Sequence, residues 1–165
     1  MVKILFVCHG NICRSPMAEF IMNDMAARRG LEGKIAAESA AVSREEIGND
    51  MYPSAKRKLS EHGVPFSGRA ARQINEQDLI RYDHIIAMDR SNLRLLRHMF
   101  GEDKTKNVRL LMEIAGQDRD VEDPWYTGDF EQAYSDIAVG CEALLQYICK
   151  KDKEGSLWQR MNLSD

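Results

Sequence analysis

From Lys3 to Cys8 the chain is a short, nearly continuous apolar run, Ile4-Leu5-Phe6-Val7-Cys8, that stops abruptly at polar His9-Gly10-Asn11. A strand buried on both faces of a parallel sheet has this pattern, and it is far too short to cross a membrane. The period then changes. From Ser15 the apolar residues Met17, Ala18, Ile21, Met22 and Met25 fall at helical spacing, with Pro16 suited to a first turn and Arg28-Arg29-Gly30 as a stop. Strand, loop and helix in that order define a βα unit.

The unit recurs. Lys34 to Ala40 predicts a second strand, Met51 to His62 a helix closed by Gly63, and Asp83 to Met88 a third strand. Asp89 is an N-cap residue for a helix carrying Leu93, Leu96 and Phe100 up to Gly101, and Val108 to Met112 predicts a fourth strand. After a polar stretch from Gly116 to Asp129, apolar residues from Phe130 through Ile137, Cys141 and Leu144 to Ile148 mark a long helix. Alternating strands and helices imply a three-layer α/β/α sandwich around a four-stranded parallel sheet, with ligands beyond the carboxyl ends of its strands. At 165 residues this is one domain, over about residues 1–150, and residues 151–165 read as a frayed or loosely docked polar tail.

With a net charge of -3 there is no footprint for nucleic acid or an anionic membrane, so any phosphate must be met by a local site. Four cysteines and no signal-peptide pattern argue against a secreted disulfide framework and for a cytoplasmic protein.

That local site is the segment Cys8-His9-Gly10-Asn11-Ile12-Cys13-Arg14-Ser15, with a thiol at a strand end and an arginine at a helix start. Backbone N–H groups of a tight loop entering a helix converge on one point, where the helix N-terminus adds positive potential. Gly10 and Asn11 are residue types that tolerate the positive φ such a loop needs. Arg14 supplies a planar bidentate donor, and the same field favours a nucleophilic Cys8 thiolate, to which Ser15 can donate. Attack at phosphorus leaves an oxyanion that must be protonated from the opposite side. Asp123, fixed by Pro124, is the best candidate acid. Beside it, Trp125 and Tyr126 read either as walls for an aryl substrate or as core aromatics.

These residues resemble the low-molecular-weight protein tyrosine phosphatases, with their C-x5-R-S loop after the first strand and Asp-Pro-aromatic loop before the last helix. The likeness covers roughly residues 2–150, including Glu38-Ser39-Ala40, Gly48, Ala71-Arg72-Gln73 and Met88-Asp89-Arg90-Ser91-Asn92-Leu93. It implies a metal-independent, cofactor-free phosphatase acting on tyrosine-phosphorylated proteins and small aryl phosphates, as a monomer or weak homodimer. Cys8 would form a phosphocysteine, Arg14 would clamp the transition state, and Asp123 would act as acid and then base. His9, Gly10, Asn11, Ile12, Cys13 and Ser15 would surround the phosphate. Asn11 would hold the loop's strained shape, supported by Ser39, and Cys13 would be the second loop cysteine that can form a reversible disulfide with the nucleophile. The chain departs from the pattern at two places. Glu45 stands where the family often has an aromatic lining the cleft, and Arg69 where it has a histidine supporting the asparagine. Glu45 and Glu46 are expected to bias the cleft toward basic flanking sequence.

Other readings of the same residues are weaker. Cys8, His9 and Cys13 lack a second ligand pair for zinc. Arsenate reductases of this fold relay a disulfide through cysteines near the third strand, and none lies between Cys13 and Cys141. Arginine phosphatases of the fold typically carry threonine where this chain has Ile12. Cysteine-carrying sugar-phosphotransferase domains need neither Arg14 nor Asp123, and a non-catalytic phosphopeptide-binding module could lose nucleophile or acid. Cys141 and Cys149 read as small core hydrophobes.

Overall fold

The computed structural model describes the backbone of residues 1–162 and the side chains of residues 1–155. Strands β1 (Val2–Cys8), β2 (Ile35–Ala41), β3 (His84–Ala87) and β4 (Arg109–Leu110) form one parallel sheet in the order β2-β1-β3-β4. Between and after them run α1 (Arg14–Arg28), α2 (Pro53–Glu61), α3 (Asp78–Arg81), α4 (Arg90–Phe100), α5 (Glu102–Thr105), α6 (Leu111–Ile114), α7 (Pro124–Thr127) and α8 (Phe130–Asn162). The architecture is the expected three-layer α/β/α sandwich.

β1 is the central strand, and its side chains alternate between the two faces. Ile4, Phe6 and Cys8 join α1, α2 and α8 in one apolar cluster, while Leu5 and Val7 join Leu96 of α4 and Ile85 of β3 in the other. All four residues from Ile4 to Val7 are fully buried, each contributing about 1.5–3 kcal/mol by area. Burial on both faces explains why the strand reads as an unbroken apolar run rather than an alternating one. Because β1 is flanked on both sides, the loop after Cys8 opens at the middle of the sheet's carboxyl edge.

Two segments differ from the sequence reading. Only Arg109–Leu110 of the run expected to be a strand pairs with β3, and from Leu111 the chain is already helical as α6. A short apolar run does not distinguish strand from buried helix, and Leu111, Met112 and Glu113 are good helix formers. The polar tail expected from Lys151 continues α8 as helix to Asn162, with residues 151–155 exposed. Lys and Glu sustain a solvated helix without needing a packed face.

α8 lies so close to α6 that a Cβ on Gly140 would sit 2.4 Å from Leu111 Cγ and 2.8 Å from both of its methyl carbons. Gly140→Ala, although favourable for an isolated helix, is therefore expected to destabilise the fold by about 1–3 kcal/mol through overpacking. Chemical denaturation checks this, and unchanged or increased stability would show that the α6–α8 contact is loose.

Candidate active site

The loop from Cys8 to Ser15 closes around the Cys8 sulfur. Asn11 has φ of 60°, the only non-glycine residue at positive φ among the described residues, and its N–H points at Cys8 Sγ from 3.3 Å. Gly10, expected to share that conformation, does not take it. A Cβ there would lie 3.3 Å from Glu46 Cγ, close enough that the Glu46 side chain would have to shift by a few tenths of an ångström. The Asn11 side chain folds under the loop, donating from Nδ2 to Ser15 Oγ at 2.8 Å, and Ser15 Oγ lies 3.0 Å from Cys8 Sγ. Asn11 and Ser15 are both fully buried, so their side chains support the sulfur from behind rather than line the space in front of it.

Arg69 holds Asn11 in place. Its guanidinium donates to Asn11 Oδ1, which also accepts from the Arg72 backbone N–H at 3.2 Å. The chain thus keeps a donor where the resemblance expects a histidine. The Ser39 hydroxyl donates to Glu19 Oε1 at 2.7 Å and makes no direct bond to Asn11. Burial pushes the Glu19 carboxyl above its usual range, against the Ser39 bond and the attraction of Arg69.

Arg14 starts α1 and is only 2% exposed. Its Nη1 donates to Asp89 Oδ2 at 2.6 Å and to the Val121 carbonyl at 2.8 Å, while Nη2 reaches Asp123 Oδ2 at 3.2 Å. Burial opposes the charge, but Cys8, Asp89 and Asp123 more than offset it, and the guanidinium stays ionised. Asp89 has two functions. It caps α4 in a reciprocal box with Asn92 and orients Arg14. Only the cap was evident in the sequence, because nothing in helix periodicity reports what the second carboxylate oxygen does.

Asp123 caps α7 by accepting from the Trp125 N–H at 3.0 Å, and its other oxygen faces Arg14. Trp125 and Tyr126 are 54% and 81% exposed, so they are not core aromatics. Tyr52, which sequence inspection missed, supports both sides of the cleft. Its N–H donates to the Ile12 carbonyl at 2.8 Å, and its ring meets Trp125 edge-on at 5.1 Å and stacks on Phe130 at 5.8 Å.

Together these segments enclose a cleft of about 190 Å³ lined by Cys8, His9, Gly10, Ile12, Cys13, Arg14, Glu45, Glu46, Asp123, Trp125 and Tyr126. That is smaller than the roughly 300 Å³ at which drug-sized sites begin. Glu45 bonds His9 Nε2 at 3.1 Å at the mouth. Burial, then the nearby charges of Cys8 and Asp123, push the Cys13 thiol up to about 12, so it stays protonated at neutral pH. Burial alone also raises Cys141, which sits in the core beside α1.

The family model for low molecular weight phosphotyrosine protein phosphatase matches residues 3–154. The low molecular weight protein-tyrosine-phosphatase YfkJ of Bacillus subtilis is 47% identical over 153 residues, covering 92% of this chain and 98% of that protein. Its crystal structure superposes with a TM-score of 0.88 at 48% identity, over 92% of this chain and 96% of that one. SP-PTP, a low molecular weight protein tyrosine phosphatase from Streptococcus pyogenes, gives a TM-score of 0.80 at 35% identity, over 89% and 93%. The drosophila arginine phosphatase DARP gives 0.80 at 35% identity, over 89% and 98%. A family model that spans nearly the whole chain, and relatives alike from end to end, show that this chain belongs to the low molecular weight phosphotyrosine protein phosphatases.

Proposed function

We propose that the cleft hydrolyses phosphotyrosine in proteins, and small aryl phosphates, through a phosphocysteine on Cys8. The observation that carries this reading is the placement of Cys8, Arg14 and Asp123 around one small cleft, with the arginine contacting the acid. The Cys8 thiolate attacks phosphorus, and the bond from phosphorus to the phenolic oxygen breaks. Arg14 spans two equatorial oxygens and stabilises their charge. As the phosphate takes the guanidinium, Asp123 is released from Arg14, takes up a proton from solvent and passes it to the leaving phenolate oxygen. Water then attacks the phosphocysteine while Asp123 removes its proton, and the sulfur–phosphorus bond breaks to give orthophosphate and the thiolate.

Support for tyrosine over arginine as the phosphorylated side chain comes from Ile12, an apolar residue lining the cleft, and from Trp125 and Tyr126 at its mouth. All four cysteines are free, as suits the reducing cytoplasm. No described helix is long and apolar enough to cross a membrane. The exposed aromatics around the cleft suit a monomer or a weak homodimer.

Steady-state hydrolysis of phosphotyrosine, phosphoserine and phosphoarginine peptides without added metal tests the reading. Selective tyrosine turnover is expected, abolished in Cys8→Ser and slowed about 10²–10⁴-fold in Asp123→Asn. Absence of turnover by the reduced protein would leave a phosphopeptide-binding module, and faster phosphoarginine turnover would reassign the substrate.

The rim is acidic. Glu45 and Glu46 line one side, and a neighbouring hollow that shares His9, Arg14, Asp123 and Tyr126 with the cleft adds exposed Glu122. Each exposed charge contributes at most about 1 kcal/mol, so lysine-flanked phosphotyrosine peptides are expected to exceed glutamate-flanked ones in kcat/KM by roughly two- to fivefold per charge. Glu45→Ala, Glu46→Ala should shrink that ratio, and an unchanged ratio would remove these residues from specificity.

A further inference from the structure

The arm of chain that leads into Asp123 is held from two sides. Its successive side chains diverge, Asp118 and Asp120 to Arg90 at the start of α4 and Arg119 between them to Asp136 on α8. The Arg119 contact is a fork: Nη1 donates to Asp136 Oδ2 at 2.9 Å and Nη2 to Oδ1 at 2.8 Å, while Nε donates to Gln117 Oε1 at 2.7 Å. Asp136 is 4% exposed, and its Oδ1 accepts again from Gln132 Nε2 at 2.9 Å. Arg119 is its one cationic partner among the described residues, so each half of the pair depends on the other. Neither residue lines the cleft. The pair instead joins two positions 17 apart, one before the acid and one after it.

We propose that Arg119 and Asp136 are positioning residues for the acid, a clasp that ties the two ends of its segment and so sets where α7 presents Asp123. This rests on the reading of Asp123 as the general acid. Upstream of it, Val121 is fixed by its N–H to the Met88 carbonyl at 3.0 Å and by its carbonyl to Arg14. Downstream, α8 is anchored in the core by Ile137, Cys141 and Leu144. Between them α7 is a single turn closed by its own bonds, from the Thr127 N–H to the Asp123 carbonyl at 3.2 Å and from the Gly128 N–H to the Pro124 carbonyl at 2.8 Å. Such a turn moves as a unit. Among the described residues, the one bond of the Asp123 side chain that leaves the segment goes to Arg14. In the proposed reaction the phosphate takes that bond away. At that moment the acid is held by the ends of its segment and by the contact of the Trp125 ring with Tyr52. The clasp shortens the open span between those ends, which lowers the freedom of everything it carries. Its contribution is therefore greatest when substrate is bound and the proton has to be delivered.

The test compares kcat/KM on two aryl phosphates, using the whole reduced protein. Phenyl phosphate releases a phenolate about as basic as that of tyrosine and needs the acid, whereas 4-nitrophenyl phosphate releases a much weaker base and needs it little. Arg119→Gln and Asp136→Asn are each expected to lose about tenfold on phenyl phosphate and no more than about twofold on 4-nitrophenyl phosphate, with the double variant no worse than either single one. A variant that merely folds less well loses the same factor on both esters. Equal losses, no loss, or fully additive losses would therefore overturn the proposal. Hydrogen exchange of the Thr127 and Gly128 amides, measured against those of β1, gives a reading that needs no turnover. Exchange about tenfold faster in each variant is expected, and unchanged exchange would overturn the clasp. Failure of the phosphatase reading would appear separately, as no hydrolysis of either ester by the unaltered protein.

Discussion

A guanidinium that is 2% exposed has to be fully partnered, because an unpaired buried charge costs several kcal/mol. Arg14 meets that demand with groups from far along the chain: Asp89 at the start of α4, the Val121 carbonyl, and Asp123 at the start of α7. Each partner is fixed by a second bond. Asp89 is locked by Asn92, Val121 by its N–H to the Met88 carbonyl at 3.0 Å, and Asp123 by the Trp125 N–H. One buried cation therefore fastens the segments that follow β1, β3 and β4 at the carboxyl edge of the sheet. The cleft is where those segments fail to touch one another.

The arrangement places the acid within reach of the clamp, and the same contact gives the unliganded site its charge balance. Two carboxylates offset Arg14 while no phosphate is present. In the mechanism proposed above, an incoming dianion competes for one of them, Asp123, and leaves Asp89 in place, because the Asp89 bond is shorter and tied to the α4 cap. Binding the phosphate and freeing the acid thus become one event. Beneath the loop, Arg69 donates to the strained Asn11, with the carboxyl of Glu19 near enough to attract its charge. Such strain at a non-glycine residue costs about 1–3 kcal/mol and persists only where its surroundings hold it.

Much of this was legible in the chain because the chemistry is local. The loop from Cys8 to Ser15, the N-cap at Asp89 and the Asp123-Pro124 turn are each contiguous, and their residue types state their purpose. What was illegible depends on distance in sequence. Tyr52, Glu19 and the second bond of Asp89 gain meaning only when segments tens of residues apart meet. The same holds for Ser39, whose bond goes to Glu19, and for Gly10, over which Glu46 lies. At Leu111 the apolar run could not report a change from strand to helix, since both bury the same side chains. Arg69 was visible as a departure, but its direction of donation needed the geometry around Asn11.

The exchange of partners at Arg14 is best examined in a crystal structure of the protein with orthovanadate or phosphate in the cleft. The account expects the guanidinium to make a bidentate contact with the oxyanion, its bond to Asp89 to remain, and Asp123 to move beyond hydrogen-bond distance of Nη2 with its carboxyl turned toward the cleft. An oxyanion seated over Cys8 with the Arg14–Asp123 contact unbroken would contradict it, and would separate phosphate binding from the release of the acid.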